Sequence, residues 1–403
     1  MLKILRPAVA VLLAACAFSP AVLPAAPEPI VVRKTVRTNP TLFFQGVPGD
    51  EELTKQMRSF LNACGWFDLT TDPKAEYVLV GRNEGGKAVF SMSSGGAPAG
   101  SWAIPTSGNS RRTAQQMVDA IIQQTFQELK VKGFCSTKIA FCAETAKGIK
   151  NIYTCDIDGG NIEQITNFSA LCVEPCWFPD GRSIGYSKYN HTGIDVLETR
   201  LNPKATRVLA GFRGINTGAA ISPDGRSLAV ILSPDHKVDL YVMPVGSQSP
   251  RRLTNGIAVE ASPCWNPAGG EIAFVSDETG SPRIHIISAD GRNRRVLRAI
   301  GADAVTPDWS GDGKIVYATR MDSGYTIAVY DLKSGANSRI TEEPGTWESP
   351  AWAADNRQVV VKRSDGRRSA LYVIDSWTGK ARLLVSTPYN LSMPAWSRAG
   401  SRQ

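Results

Sequence analysis

The chain has 403 residues, 42% hydrophobic and 20% charged, a balance that excludes a disordered or fibrous protein and leaves room for two globular domains. Its formal charge of +8 is spread in short pairs such as Arg111-Arg112, Arg294-Arg295 and Arg367-Arg368, with no basic stripe interleaved with aromatics. A charge of this size biases encounters but does not point to nucleic acid, and no nucleic-acid partner is expected.

The chain opens with Lys3 and Arg6, an apolar run over residues 7–17, and Ala25-Ala26 before the polar Glu28. This reads as a signal peptide over residues 1–26, too short to span a bilayer. Its removal takes away Lys3 and Arg6 and lowers the charge from +8 to +6. Leu13-Ala14-Ala15-Cys16 also resembles a lipoprotein cleavage box, in which Cys16 becomes a lipidated first residue; both cleavages stay open. Either route exports the chain, so the expected location is the periplasm. No other segment approaches 18 apolar residues, and the mature chain reads as soluble rather than transmembrane.

Residues 27–133 read as an α/β domain. The stretch 29–36 is extended. Asp50 caps a predicted helix over 51–64 whose apolar positions Leu53, Met57, Phe60, Leu61 and Cys64 share one face, and Gly65 ends it. Strands follow at 77–80, 88–92 and near 101–104, separated by glycine-rich turns. A second helix is predicted from about 110 to 130, with Val118, Ile121, Ile122, Phe126 and Leu129 inward. Two helices on a small mixed sheet result.

Residues 134–403 obey a different rule. A unit ending in a variant of Pro-x-Trp-Ser-Pro-Asp-Gly closes at Gly181, Gly225, Gly270, Gly313, Asn356 and Gly400, spacings of 43–45 residues. A fixed period in this range marks one supersecondary unit that buries its apolar face only by stacking on its neighbours. Each unit carries four short runs rich in β-branched and aromatic residues, such as 271–275, 283–287, 295–297 and 307–309. Four strands in each of six units predict a six-bladed β-propeller. The first unit opens without a Pro-x-Trp strand and the last ends with an unpartnered one, so residues 392–397 are predicted to complete the blade begun by 138–167. Trp177, Trp265, Trp309, Trp352 and Trp396 recur at one phase and are expected to pack between blades.

The chemistry is mostly that of absences. There is no Gly-x-Ser-x-Gly elbow, P-loop or dinucleotide fingerprint, and three histidines, His191, His236 and His285, stand at unrelated phases. No catalytic residue, metal ligand or cofactor is assigned. Seven cysteines follow residue 16; Cys142 and Cys155 fall on neighbouring strands, where a disulfide and two buried thiols are both reasonable. What remains is a channel rim made by the residues leading into each innermost strand: Glu174, Asn216, Thr217, Glu260, Ser262, Asp303, Thr306, Glu348, Ser349, Asn390 and Ser392. Such a ring suits docking of a polypeptide segment, would also suit a hard cation through oxygen ligands, and equally fits wet loop residues.

Residues 272–297 and 152–167, together with a Tyr-Val-Leu-Val-Gly strand at 77–81 and the order of signal peptide, α/β domain and six repeats, resemble the TolB family of the Tol–Pal envelope system. The resemblance implies a non-catalytic adaptor, monomeric outside its complex, that docks a Pal-like peptidoglycan-associated lipoprotein on the propeller. It further implies an N-terminal arm including Glu28, Ile30, Val31, Val32 and Arg33 that signals to a TolA-like inner-membrane protein, in support of outer-membrane integrity and cell division. The chain departs from the family pattern at Ala219-Ala-Ile-Ser, which lacks the tryptophan, at Ile215, where the family carries histidine, and before Pro263. The other readings are an exported propeller hydrolase or lyase with its site in the channel, and a glycan- or peptidoglycan-binding propeller, which would want exposed aromatics at the mouth.

Overall fold

A computed structural model describes residues 38–106, 108–321 and 324–398. The predicted signal peptide, Cys16, and the arm residues Glu28, Ile30, Val31, Val32 and Arg33 lie outside the described residues.

Helix α1 spans Glu51–Cys64, as its pattern predicts. Asp50 accepts from the Leu53 amide at 2.9 Å, Glu51 and Glu52 meet the positive helix end, and Gly65 closes the helix at φ 68°. Gly65 is required twice over, since a Cβ there would also lie 2.8 Å from the Gln358 side chain. Helix α2 spans Ser110–Thr125, capped by Asn109, shorter than the pattern predicted. A 3₁₀ turn at Gln127–Leu129 and a left-handed Lys130 (φ 50°) end the helical path, so Leu129 faces solvent. The sheet order is β2 (Asp68–Thr70), β1 (Thr41–Phe44), β3 (Tyr77–Glu84), β4 (Lys87–Ser94) and β5 (Ala97–Pro105), with β1 parallel to both neighbours and the remaining pairs antiparallel. Leu42, Phe44, Leu79, Phe90 and Met92 bury one sheet face in the same core as the apolar stripes of both helices.

The rest is all β. Four four-stranded antiparallel sheets begin at Asn216, Glu260, Ala304 and Thr346. A larger sheet joins strands from Lys138–Gln164 to those of Leu171–Ala210 through a single parallel pair, Lys150 with Leu171. The C-terminal strand Asn390–Trp396 pairs antiparallel with Lys138–Ala146, placing Trp396 opposite Ile139. Trp309 shares a core with Ala273 and Ile286 of the preceding sheet, and Trp352 with Val316 and Ile327 of its own predecessor. The Trp177 indole donates to the Ala395 carbonyl at 3.1 Å and that of Trp265 to Ala220 at 3.0 Å. The indoles therefore hold adjacent sheets together, as their phase predicts. Among the described residues no helix is long and apolar enough to cross a membrane.

The α/β region sits on the turn end of this body. The Arg357 guanidinium lies 4.6 Å from the Trp66 ring and 4.5 Å from the Trp377 ring, with its Nε 3.1 Å from Asp375. Arg382 donates to the carbonyls of Ala63 and Ile157, and Arg111 pairs with Asp156 and Asp158. One hydrophobic cluster runs through both regions. The opposite end of the sheets stays uncovered by this contact.

The geometry excludes the Cys142–Cys155 bridge. Cys142 faces Ile152 and Cys155 faces Ile139, three register positions apart, about 10 Å along the strands. All seven described cysteines are free thiols. Burial pushes Cys142 and Cys155 up to about 12, which makes them inert fillers of the core.

Candidate functional site

Each innermost strand carries the same irregularity. In Glu260–Trp265, Ala261 pairs with Val275 and Cys264 with Ala273, so Ser262 and Pro263 together face Phe274. Proline has no N–H for the ladder, and a bulge is where a strand tolerates it. The residue before it takes a left-handed φ every time: Glu174 (56°), Gly218 (61°), Ser262 (48°), Thr306 (48°), Ser349 (52°) and Met393 (50°). Five are followed by proline and the sixth by Ala219. Strain repeated at one phase belongs to the design of the strand.

These bulges line one cavity of about 600 Å³, with Trp177, Trp265 and the proline rings as its walls. At the turn end the lining includes Lys132, Asp308 and Arg398. Arg398 reaches both Asp308 oxygens at 3.1 Å. Only one bulge is charged. Glu174 Oε2 accepts from Ser187 Oγ at 2.9 Å, Thr217 Oγ1 at 2.6 Å and the Gly218 amide at 3.0 Å, a carboxylate fixed across two sheets.

The sequence-predicted rim residues separate into two groups. Glu174, Ser262, Thr306 and Ser349 line the cavity, and Thr217 holds Glu174. The others, Ser392 apart, bind within the protein. Asn216 is buried, donating to the Ile194 and Phe212 carbonyls at 3.0 and 2.7 Å. Asp303 is buried and accepts from Arg320 Nε and the Tyr325 hydroxyl, each at 3.0 Å. Glu348 pairs with Lys362 at 2.6 Å, and Asn390 accepts from the Ser369 amide at 3.2 Å. The Ser392 hydroxyl is buried beside its bulge without a partner. Glu260 is buried 3.4 Å from Arg294, and burial pushes its carboxyl up to about 7. Arg294 also donates to Nδ1 of His285, a packed histidine held below its ordinary range first by burial and then by that guanidinium.

Sequence reasoning missed the bulge ring and the apolar side chains around the free end. Tyr189, Ile257, Val259, Met321 and Tyr389 are all exposed, at strand ends or loops of that end. A proline repeated inside a strand pattern was the available signal for the bulges.

A small α/β region fixed to one end of a large all-β body of repeated four-stranded sheets, with a cavity among the repeats, defines a β-propeller protein with an N-terminal α/β region. The TolB beta propeller domain family matches residues 126–400. The chain belongs to that family. It is 32% identical over 157 residues to the Tol-Pal system protein TolB of Anaeromyxobacter dehalogenans, covering 39% of this chain and 35% of that protein. To the TolB homolog of Chlorobium luteolum it is 27% identical over 258 residues, 62% of this chain and 57% of the relative. The matches thus span about a third to just over half of these relatives' length. The crystal structure of TolB from Acinetobacter baumannii shares the fold, with TM-score 0.80 and 20% identity over 90% of this chain and 98% of that one.

Proposed function

We propose that the protein is a periplasmic, non-catalytic adaptor of a Tol–Pal system that docks a Pal-like lipoprotein on the free end of its propeller. On this reading residues 27–133 form one domain and 134–403 a propeller of six blades. The larger sheet is then two blades touching at Lys150 and Leu171, and the ladder between Asn390–Trp396 and Lys138–Ala146 is the ring closure. Residues 28–33 act as an arm toward a TolA-like inner-membrane partner, and the assembly serves outer-membrane integrity and cell division. The observation that carries the docking reading is the placement of exposed apolar side chains. Ile257 is fully exposed, and Val259, Tyr189 and Tyr389 are exposed at strand ends or loops of different sheets, all at the end that the α/β region leaves open. Apolar projections among the polar groups of Glu348, Asn390 and Thr217 make a surface suited to another protein.

Calorimetry of the purified chain with the lipid-free domain of a Pal-like lipoprotein tests this. Saturable binding, weakened at least tenfold by Ile257→Asp, is expected. Binding that survives Ile257→Asp and Tyr389→Asp together would place the partner elsewhere, and no binding at all would remove the reading.

A further inference from the structure

Glu174 is the one charged side chain in a ring of six strained bulges, and among the described residues it forms no ion pair. Its Oε2 is held by Ser187, Thr217 and Gly218, while Oε1 makes no hydrogen bond among the described residues. The other ring positions are Gly218, Ser262, Thr306, Ser349 and Met393, none of which carries a charge to neutralise it. The cations lining the cavity, Lys132 and Arg398, lie toward the turn end, where Arg398 is paired with Asp308. The Thr306 hydroxyl on the same ring is buried and without a partner.

We infer that the propeller channel is a binding site for a lysine or arginine side chain of a docked protein, its cationic head on Glu174 and its stem among the bulge residues Ser262, Thr306, Ser349 and Met393. A fixed carboxylate in an apolar, preformed ring favours an organic cation with a methylene stem over an anion or a bare apolar group. The Trp177 and Trp265 indoles use their N–H groups on Ala395 and Ala220, so neither of these two donors competes for Glu174. The inference rests on the docking reading only for the source of the side chain.

Its test therefore needs no partner. N-acetyl-lysinamide is titrated into the purified chain while the indole N–H resonances of Trp177 and Trp265 are followed. Saturable millimolar shifts are expected. N-acetyl-norleucinamide, which keeps the stem and loses the charge, should bind at least tenfold more weakly, and Glu174→Gln should erase that difference. Met393→Lys puts an ammonium on a neighbouring bulge and should erase it as well, which keeps the test decisive if Glu174→Gln melts early. Equal affinity for both probes, or a lysine preference unchanged in a folded Glu174→Gln or Met393→Lys chain, overturns the inference. A silent probe beside a lipoprotein that still binds removes the channel site and leaves the docking face standing.

Discussion

The indole N–H of Trp66 donates to Asp355 at 3.1 Å, tying the end of the α1 segment to a turn of the propeller. Asp355 also accepts from the Arg357 and Gln358 amides at 2.9 and 3.0 Å, yet burial outweighs these donors and pushes its carboxyl up to about 6. Trp66→Phe removes one donor from a buried charge and should cost about 1–3 kcal/mol at pH 7.5. The cost should shrink at pH 5, where Asp355 is mostly protonated in the folded protein. Urea midpoints at both pH values check this.

Arg357 sits between two indoles and pairs with Asp375 in a buried contact. Arg357→Met leaves that carboxylate without its cation, and a loss of about 3–5 kcal/mol is expected. Arg357→Lys keeps the charge but loses the flat stack and the fork, so it should not restore full stability. Denaturant curves of both variants, with the native and melted chains compared by limited proteolysis between the domains, measure the effect.

Glu260 has a folded carboxyl near 7 against an ordinary value of 4.5. The folded state therefore holds a proton that the unfolded chain releases, and stability attached to this group falls as pH rises from about 4.5 through 7. Glu260→Gln should flatten that slope and raise the melting temperature at pH 8 by about 1–3 °C. Arg294 keeps a counter-charge in Glu278, 2.9 Å away, so the substitution does not strand it. An unchanged slope would show that Glu260 does not titrate in this window.

Thr306 is a β-branched residue at φ 48°, a conformation that its side chain disfavours. Thr306→Gly relieves this strain while adding freedom to the unfolded chain, and a net gain of about 1 kcal/mol in urea stability is expected. Met393→Gly, with an unbranched side chain at the same phase, should gain less.

The seven described cysteines are thiols, so denaturing alkylation without reductant should label all of them, and intact mass should not change on reduction. Labelling of only five would point to a disulfide that this packing does not contain.

Helix α1 was legible to the residue because its signals are local: a cap at Asp50, a 3.6-residue apolar stripe and a left-handed Gly65. Helix α2 was legible at its start and not at its end. Phe126 and Leu129 continue the apolar pattern, but the turn at Lys130 leaves Leu129 without a core to face. The strands after each Pro-Asp-Gly turn were readable from composition and period. Their innermost partners begin earlier than the Pro-x-Trp motif suggests, since a strand passes through its proline by bulging.

The candidate site divides in the same way. Spacing alone brought Glu174, Ser262, Thr306 and Ser349 to equivalent positions. The same spacing sets Asp303 and Asn216 apart, four and three residues before the proline position, but it could not show that Arg320, Tyr325 and Phe212 neutralise or bury them.

Period, turn chemistry and helix caps depend on residues close together in the chain, so the amino-acid order alone determined the repeat, its strands and the family they resemble. Which polar groups face the channel, which thiols stay apart, and where the α/β domain rests depend on register and on contacts across hundreds of residues, such as Trp66 with Asp355. Only the folded chain decides those, because a shift of one residue in a strand turns a side chain from the core to the surface.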